Sequence, residues 1–326
     1  MTDIQSIYSA LREQGLTRQK LSHILPEWLT SDVEATPSGA QQVKLYLARA
    51  LSLRIRSISE TPPRIEFDLP DERRFKRSAK TTDADIEVAV ALAQSASRIA
   101  LSALEKNYVP LPPASDIRAH LLKQGNRWVG LTQLIEYCWS CGIPILHLAT
   151  PLLGKKMDGI AMSIKGRPSI VLSSKRQYGY LLFHLAHELG HIALGHLSDN
   201  GAIVDDEIKE GNNVGERDLQ ELEADRFAIE LLTGNANTCI KLQRRVKAPV
   251  LARMAIEYGE NNQIDPTHVL LNLAHNDRAL YPLCISAIKS ISDSVSDQSR
   301  ITSSAGSHLI SGLSSDNEHL LRSLIG

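Results

Sequence analysis

The chain has 326 residues, 43% hydrophobic and 22% charged, an ordinary balance for soluble globular protein with room for two or three compact domains. A formal charge of -1 argues against coating nucleic acid or anionic membrane by bulk electrostatics. The opening MTDIQSIYSA lacks a secretory pattern, no run approaches the roughly 18 apolar residues of a membrane span, and four cysteines are not a disulfide framework, so a cytoplasmic protein with no membrane partner is expected.

Aromatics are only 5%, so Leu, Ile, Val and Ala must fill the core, which favours helix packing. Residues 1 to about 60 read as helices. Leu11 runs to a stop at Gly15, Thr17 caps a helix through Leu25, and Pro26 ends it. Ser31 to Gly39 reads as a polar loop and Gln41 to Leu53 as helix. After Pro62, Pro63 and Pro70, the basic run Arg73, Arg74, Lys76, Arg77 and Lys80 reads as a solvated helix face before a long helix from Asp83 to Lys106. Pro110, Pro112 and Pro113 mark a boundary. Beyond it come a helix over Leu131 to Cys141 and a buried strand over Ile143 to Leu148. A hairpin of Gly159 to Ile164 with Ser169 to Ser173 turns through Lys165-Gly166-Arg167-Pro168. Helices over Tyr178 to His196 and Glu216 to Leu232 follow, joined by a Gly/Asn/Asp-rich loop. The rest reads as helical, with a loosely ordered Ser-rich stretch from Ser286 to Ser307. The expected fold is α+β and mostly helical, a small mixed or antiparallel sheet packed on a zincin-like helix between helical flanks. The expected organisation is a helical region 1–70, a linker and long helix 71–114, a core 115–235 and a C-terminal helical region 236–326.

His187-Glu188-Leu189-Gly190-His191 is an HExxH motif. Residues four apart share one helix face, so both imidazoles reach one ion. Glu188, about 100° round the helix, sits beside that ion, where it can take a proton from bound water. A catalytic metal keeps one position open and takes three protein ligands, so a third is required. On the later helix Glu221, Ala224, Asp225, Ala228 and Leu232 share a strip, with Glu223, Arg226 and Glu230 opposite. The strip carrying alanines and leucine packs inward, and a buried carboxylate is costly unless paired or bound to metal. Glu221 is therefore the expected third ligand and Glu223 a solvated acid. Asp225, one turn on, is placed to accept the outer N–H of a liganding His. Two His and one Glu suit zinc first, with manganese or iron as alternatives. The preceding hairpin supplies a strand edge on which an extended peptide can be held.

Phe183 to His196 (FHLAHELGHIALGH) and Glu221 to Ala228 (ELEADRFA), with Trp139 to Ile145 and Asp158 to Ser173, resemble the ImmA/IrrE family of metallopeptidases over residues 115 to 235. The resemblance implies a two-His, one-Glu zinc site on a mixed α/β core and cleavage of a repressor or antitoxin partner, often in stress-response loci. Near the start, Leu11 to Leu21 and Leu45 to Ile58 resemble a degenerate XRE-type helix-turn-helix. Pro26, Asp32, Glu34 and Pro37 occupy the recognition-helix stretch, and carboxylates repel phosphate, so protein contact is expected there over DNA binding.

Cys138-Trp139-Ser140-Cys141 lacks a second ligand pair and reads as two half-buried cysteines at a helix end. His184, about 60° from His187, is either a substrate or oxyanion contact or simply packed; Tyr178 and Tyr180 are further oxyanion candidates. His196 falls opposite the ligand face and reads as structural, and Lys241, Arg244, Arg245 and Lys247 form a basic cluster. The expected function is zinc-dependent hydrolysis of a peptide bond in a protein partner. The alternative is a non-catalytic transcriptional regulator, or a toxin–antitoxin or defence scaffold, that binds DNA or a partner protein.

Overall fold

The computed structural model describes residues 3–70, 72–76, 83–154, 157–174, 179–205, 219–244, 246–292 and 295–326. The chain opens with α1 (Asp3–Glu13), α2 (Arg18–Leu21), α3 (Ser31–Glu34), α4 (Pro37–Ala50) and α5 (Ile55–Ile58). Thr17 caps α2 by accepting from the Lys20 amide, as expected, but the helix closes after one turn. The start of α4 lies four residues before the expected Gln41. Thr36 accepts from the Gly39 amide and Pro37 takes the first helical position, where its missing N–H costs nothing. Glu34 does not face outward; its buried carboxylate accepts from the Tyr8 hydroxyl at 2.7 Å and from Arg18 at 2.6 Å.

Then follow β1 (Glu72–Lys76), α6 (Asp83–Ala103), α7 (Ala114–Lys123), α8 (Leu131–Ser140), β2 (Ile145–His147), β3 (Gly159–Ile164), β4 (Arg167–Leu172), α9 (Tyr180–Ala193), β5 (Gly201–Asp205) and α10 (Leu219–Thr233). The chain ends in α11 (Ala248–Asn262), α12 (Pro266–Asn276), α13 (Tyr281–Ile291), α14 (Asp297–Leu309) and α15 (Ser315–Ile325). The Ser-rich stretch is thus mostly helical, in α13 and α14, because Ile288, Ile301, Ala305 and Leu309 give it a buried stripe.

The five strands form one mixed sheet in the order β1-β5-β3-β4-β2. β3 runs antiparallel to both neighbours, whereas β1 with β5 and β2 with β4 are parallel. Three expectations are corrected here. Arg73, Arg74 and Lys76 belong to strand β1, not to a helix face, while Arg77 and Lys80 lie outside the described residues. The hairpin turn is only Lys165-Gly166, both at positive φ, and Arg167 and Pro168 are already in β4. Next to α9 neither hairpin strand offers a free edge, since β5 pairs with β3 over Gly159–Met162 and β2 pairs with β4 over Ile170–Leu172.

Register sorts the sheet's two faces. Ser169 of β4 bonds Ser97 of α6 at 2.8 Å, so Ser169 and its partner Met162 face α6. Gly159, three positions from Met162, lies on the other face, against Glu188 of α9. Asp205 is paired directly with Gly159 and shares that face. Strands covered on both sides read as continuous apolar runs, and β3, β4 and β5 are buried almost throughout. The main core joins the N-terminal helices, α6 to α10, the sheet, α14 and α15; Leu251, Ala255, Leu270, Leu273 and Ala287 centre a second core among α11 to α13. Among the described residues one helical stretch, Ile86–Ala103, is long and apolar enough to cross a membrane, and 78% of it is buried within the fold.

Candidate metal centre

His187 and His191 lie one turn apart on α9, fully buried, with their Nε2 atoms 3.1 Å apart. Glu221 of α10 joins them. Its Oε1 is 3.4 Å from His191 Nε2 and its Oε2 is 3.6 Å from His187 Nε2. Small residues at the helix crossing make this reach available. A Cβ on Gly190 would meet the Ala224 backbone at 3.2 Å, so any larger pair would push α10, and Glu221 with it, outward. The expected ligand triad is brought together. Asp225 also stands where the helical strip places it, with Oδ1 3.0 Å from His187 Nδ1.

Three parts of the site were absent from, or misread in, the sequence. Asp205, the last residue of β5, is fully buried and sets Oδ2 3.0 Å from His187 Nε2; its strand had read as loop. Donor atoms of His187, His191, Asp205 and Glu221 all lie within 4.8 Å of one another. His196 is not opposite the ligands. Helix α9 stops at Ala193, Gly195 turns the chain at φ 71°, and the His196 amide bonds the His191 carbonyl at 3.0 Å while Gly195 bonds Ile192. This Schellman turn requires a left-handed residue that glycine supplies, and it folds His196 back until its Nδ1 is 2.9 Å from His191 Nδ1. Glu223, expected to be merely solvated, lies with Oε2 3.2 Å from His196 Nε2. Gly195 was the available signal for the placing of His196; a short Ala-Ile-Val run after Asn200-Gly201 was the signal for β5.

These contacts fix the proton inventory. If His191 Nδ1 donates to His196 Nδ1, His196 Nε2 donates to Glu223, and if His187 Nδ1 donates to Asp225, both facing Nε2 atoms carry lone pairs. Two lone pairs 3.1 Å apart are repulsive unless a proton or a metal cation lies between them. Burial opposes charge on His187, yet the carboxylates of Asp205, Asp225 and Glu221 outweigh it and hold the ring well above its ordinary pKa. Burial, with His187 alongside, pushes His191 down to about 4. Burial and then Asp205 push the Glu188 carboxyl well above its usual range. Neither carboxylate oxygen of Glu188 has a hydrogen-bond donor, and the Asp205 carboxylate meets His187 Nε2. So many buried acids around two imidazoles leave positive charge missing, and unpaired buried carboxylates are expensive. A divalent cation fits the set. Four ligands at the 2.0–2.1 Å bond lengths of tetrahedral zinc stand about 3.3 Å apart, and the close contacts here run from 3.0 to 3.6 Å.

Glu188 itself packs on the backbone of Gly159, where a Cβ would come within 2.0 Å of its Oε1. The remaining candidates fall outside the cluster. His184 is buried with Nε2 4.0 Å from Asp158 Oδ2. The Tyr180 hydroxyl bonds that of Tyr281 at 2.7 Å, and Tyr178 lies outside the described residues. Cys138 is buried and Cys141 half-buried at the end of α8, both free.

Residues 177–268 match the family Peptidase U49. That stretch contains every donor of the cluster, Glu188, Asp225, His196 and Glu223, and the match supports a peptidase. No curated protein and no solved structure matches the chain.

Proposed function

We propose that the protein is a zinc-dependent metallopeptidase that hydrolyses a peptide bond in a protein partner. The observation that carries this reading is the convergence of His187, His191 and Glu221 donor atoms at 3.1–3.6 Å beside the buried, unpartnered carboxylate of Glu188. A bound divalent cation supplies Lewis acidity and lowers the pKa of water. Glu188, its pKa raised by burial, takes a proton from water and passes it to the leaving amine. Asp225 and the His196–Glu223 pair fix the ring orientation of His187 and His191. His184, one turn before His187 on α9 and 4.0 Å from Asp158, serves as a substrate or oxyanion contact.

The ImmA/IrrE likeness favours a repressor or antitoxin as the substrate and a cytoplasmic setting, with zinc replaceable by manganese or iron. The test is a comparison of new protein N-termini, by mass spectrometry, in cells expressing the protein or its Glu188→Gln variant. Glu188→Gln is expected to bind metal with unchanged stoichiometry and to lose the chelator-sensitive cleavages. Cleavage that persists in Glu188→Gln overturns the role of Glu188.

A further inference from the structure

Asp205 raises a question that the two-His, one-Glu reading does not answer. It sits on a strand held on both sides, paired with Gly159 in β3 and with Lys76 in β1, and its carbonyl accepts from the Asp158 amide at 2.8 Å. Its carboxylate is fully buried and points at the same centre as the three expected ligands. It cannot be explained as an ordinary acceptor for His187. A neutral imidazole has one N–H, and Asp225 takes it at Nδ1. The Nε2 that Asp205 approaches at 3.0 Å is the atom that faces His191 and Glu221 as well. Two explanations remain. Either His187 is an imidazolium clamped between Asp225 and Asp205, or Asp205 is a donor to a cation held in the cluster. The first sets a single imidazolium against the carboxylates of Asp225, Asp205 and Glu188 in a buried site, whereas a divalent ion neutralises the group.

We propose that Asp205 is a fourth protein ligand that caps the metal, so that the resting site has two His and two carboxylates and no open corner. This deepens the metallopeptidase reading and rests on it. Four protein donors close a tetrahedral site, while catalysis needs one position free. Asp205 therefore has to yield its corner before water and substrate can enter, which makes the carboxylate an internal block on the activity. Because its backbone is fixed in the sheet, the yielding is a side-chain rotation, and Asp205 and Glu188 lie close enough for the one to influence the other.

The experiment uses the full chain loaded with Co(II), in the wild type and in Asp205→Asn and Asp205→Ala, with His191→Ala as the control for the underlying site. Two readouts apply: the metal dissociation constant and the response of the visible Co(II) spectrum to added azide. The wild type is expected to bind one Co(II) whose spectrum azide leaves unchanged. Both Asp205 variants are expected to bind about 10- to 100-fold more weakly, with a spectrum that azide shifts. Equal affinity and equal azide response in wild type and variants overturn the capping role while leaving the His187–His191–Glu221 site standing. Absence of Co(II) binding by the wild type, or binding unaffected by His191→Ala, sinks the metal site itself, a separate outcome.

Discussion

At the residue scale the two imidazoles of α9 have unlike surroundings. His187 is backed by one carboxylate, Asp225, whereas His191 is backed by a second imidazole, His196, that in turn meets Glu223 at the surface. Outer partners of this kind hold the ligand tautomer and raise its basicity. His196→Ala is expected to weaken metal binding about tenfold, read by competition with a chromogenic chelator. His196→Gln, which keeps an acceptor within reach, is expected to recover part of the loss; unchanged affinity in His196→Ala rejects the relay. Gly159 and Glu188 show the complementary device, in which a missing side chain on the sheet makes the space that a carboxylate on the helix occupies.

At the element scale Glu221 reaches the ligand rings because α9 and α10 lie against each other at Gly190 and Ala224. What holds α10 in place from behind is Arg118 of α7. Its guanidinium donates to the carbonyls of Leu231 and Leu232 at the end of α10, and to those of Asn262 and Gln263 at the end of α11. Helix C-termini leave carbonyls without partners, and a cation there satisfies them and complements the dipole. The same side chain therefore ties the helix bearing Glu221 to the smaller core of α11 to α13. Arg118→Met is expected to destabilise the protein by about 3 kcal/mol, since several buried acceptors lose a charged donor together. Urea denaturation measures this; a change within experimental error contradicts it.

At the scale of the whole molecule the junction between α9 and α12 gives stability a dependence on pH. His268 of α12 is buried, stacks on Phe183 with ring centroids 6.0 Å apart, and has no hydrogen-bond partner at either ring nitrogen. Burial, and then the Arg118 cation, push its pKa down to about 4. In the unfolded chain the ring titrates near pH 6.5. Above that value both states are neutral there and the group has no effect. As pH falls from about 6.5 towards 4 the unfolded chain takes up a proton that the folded one refuses, so stability is lost across that window. The shift corresponds to roughly 3 kcal/mol at most. The metal-free His268→Leu variant is expected to show a flatter stability profile than wild type between pH 6.5 and 4. Parallel profiles contradict the assignment.

By itself the sequence determined what depends on local periodicity. Positions four apart on one helix put His187 and His191 together, the apolar strip of α10 placed Glu221 rather than Glu223 beside them, and two runs flanking a turn predicted the β3–β4 hairpin. Only the tertiary structure decided the rest. Five residues ending in Asp205 become a strand because β1 and β3 stand on either side, and the register against Gly159 aims that carboxylate at His187. His196 depends on a single turn that reverses the chain, and the hairpin's lack of a free edge depends on strands arriving from distant sequence. Helical faces repeat within a few residues and can be read from the chain, whereas strand partners and buried charge balance are set by segments far apart in sequence.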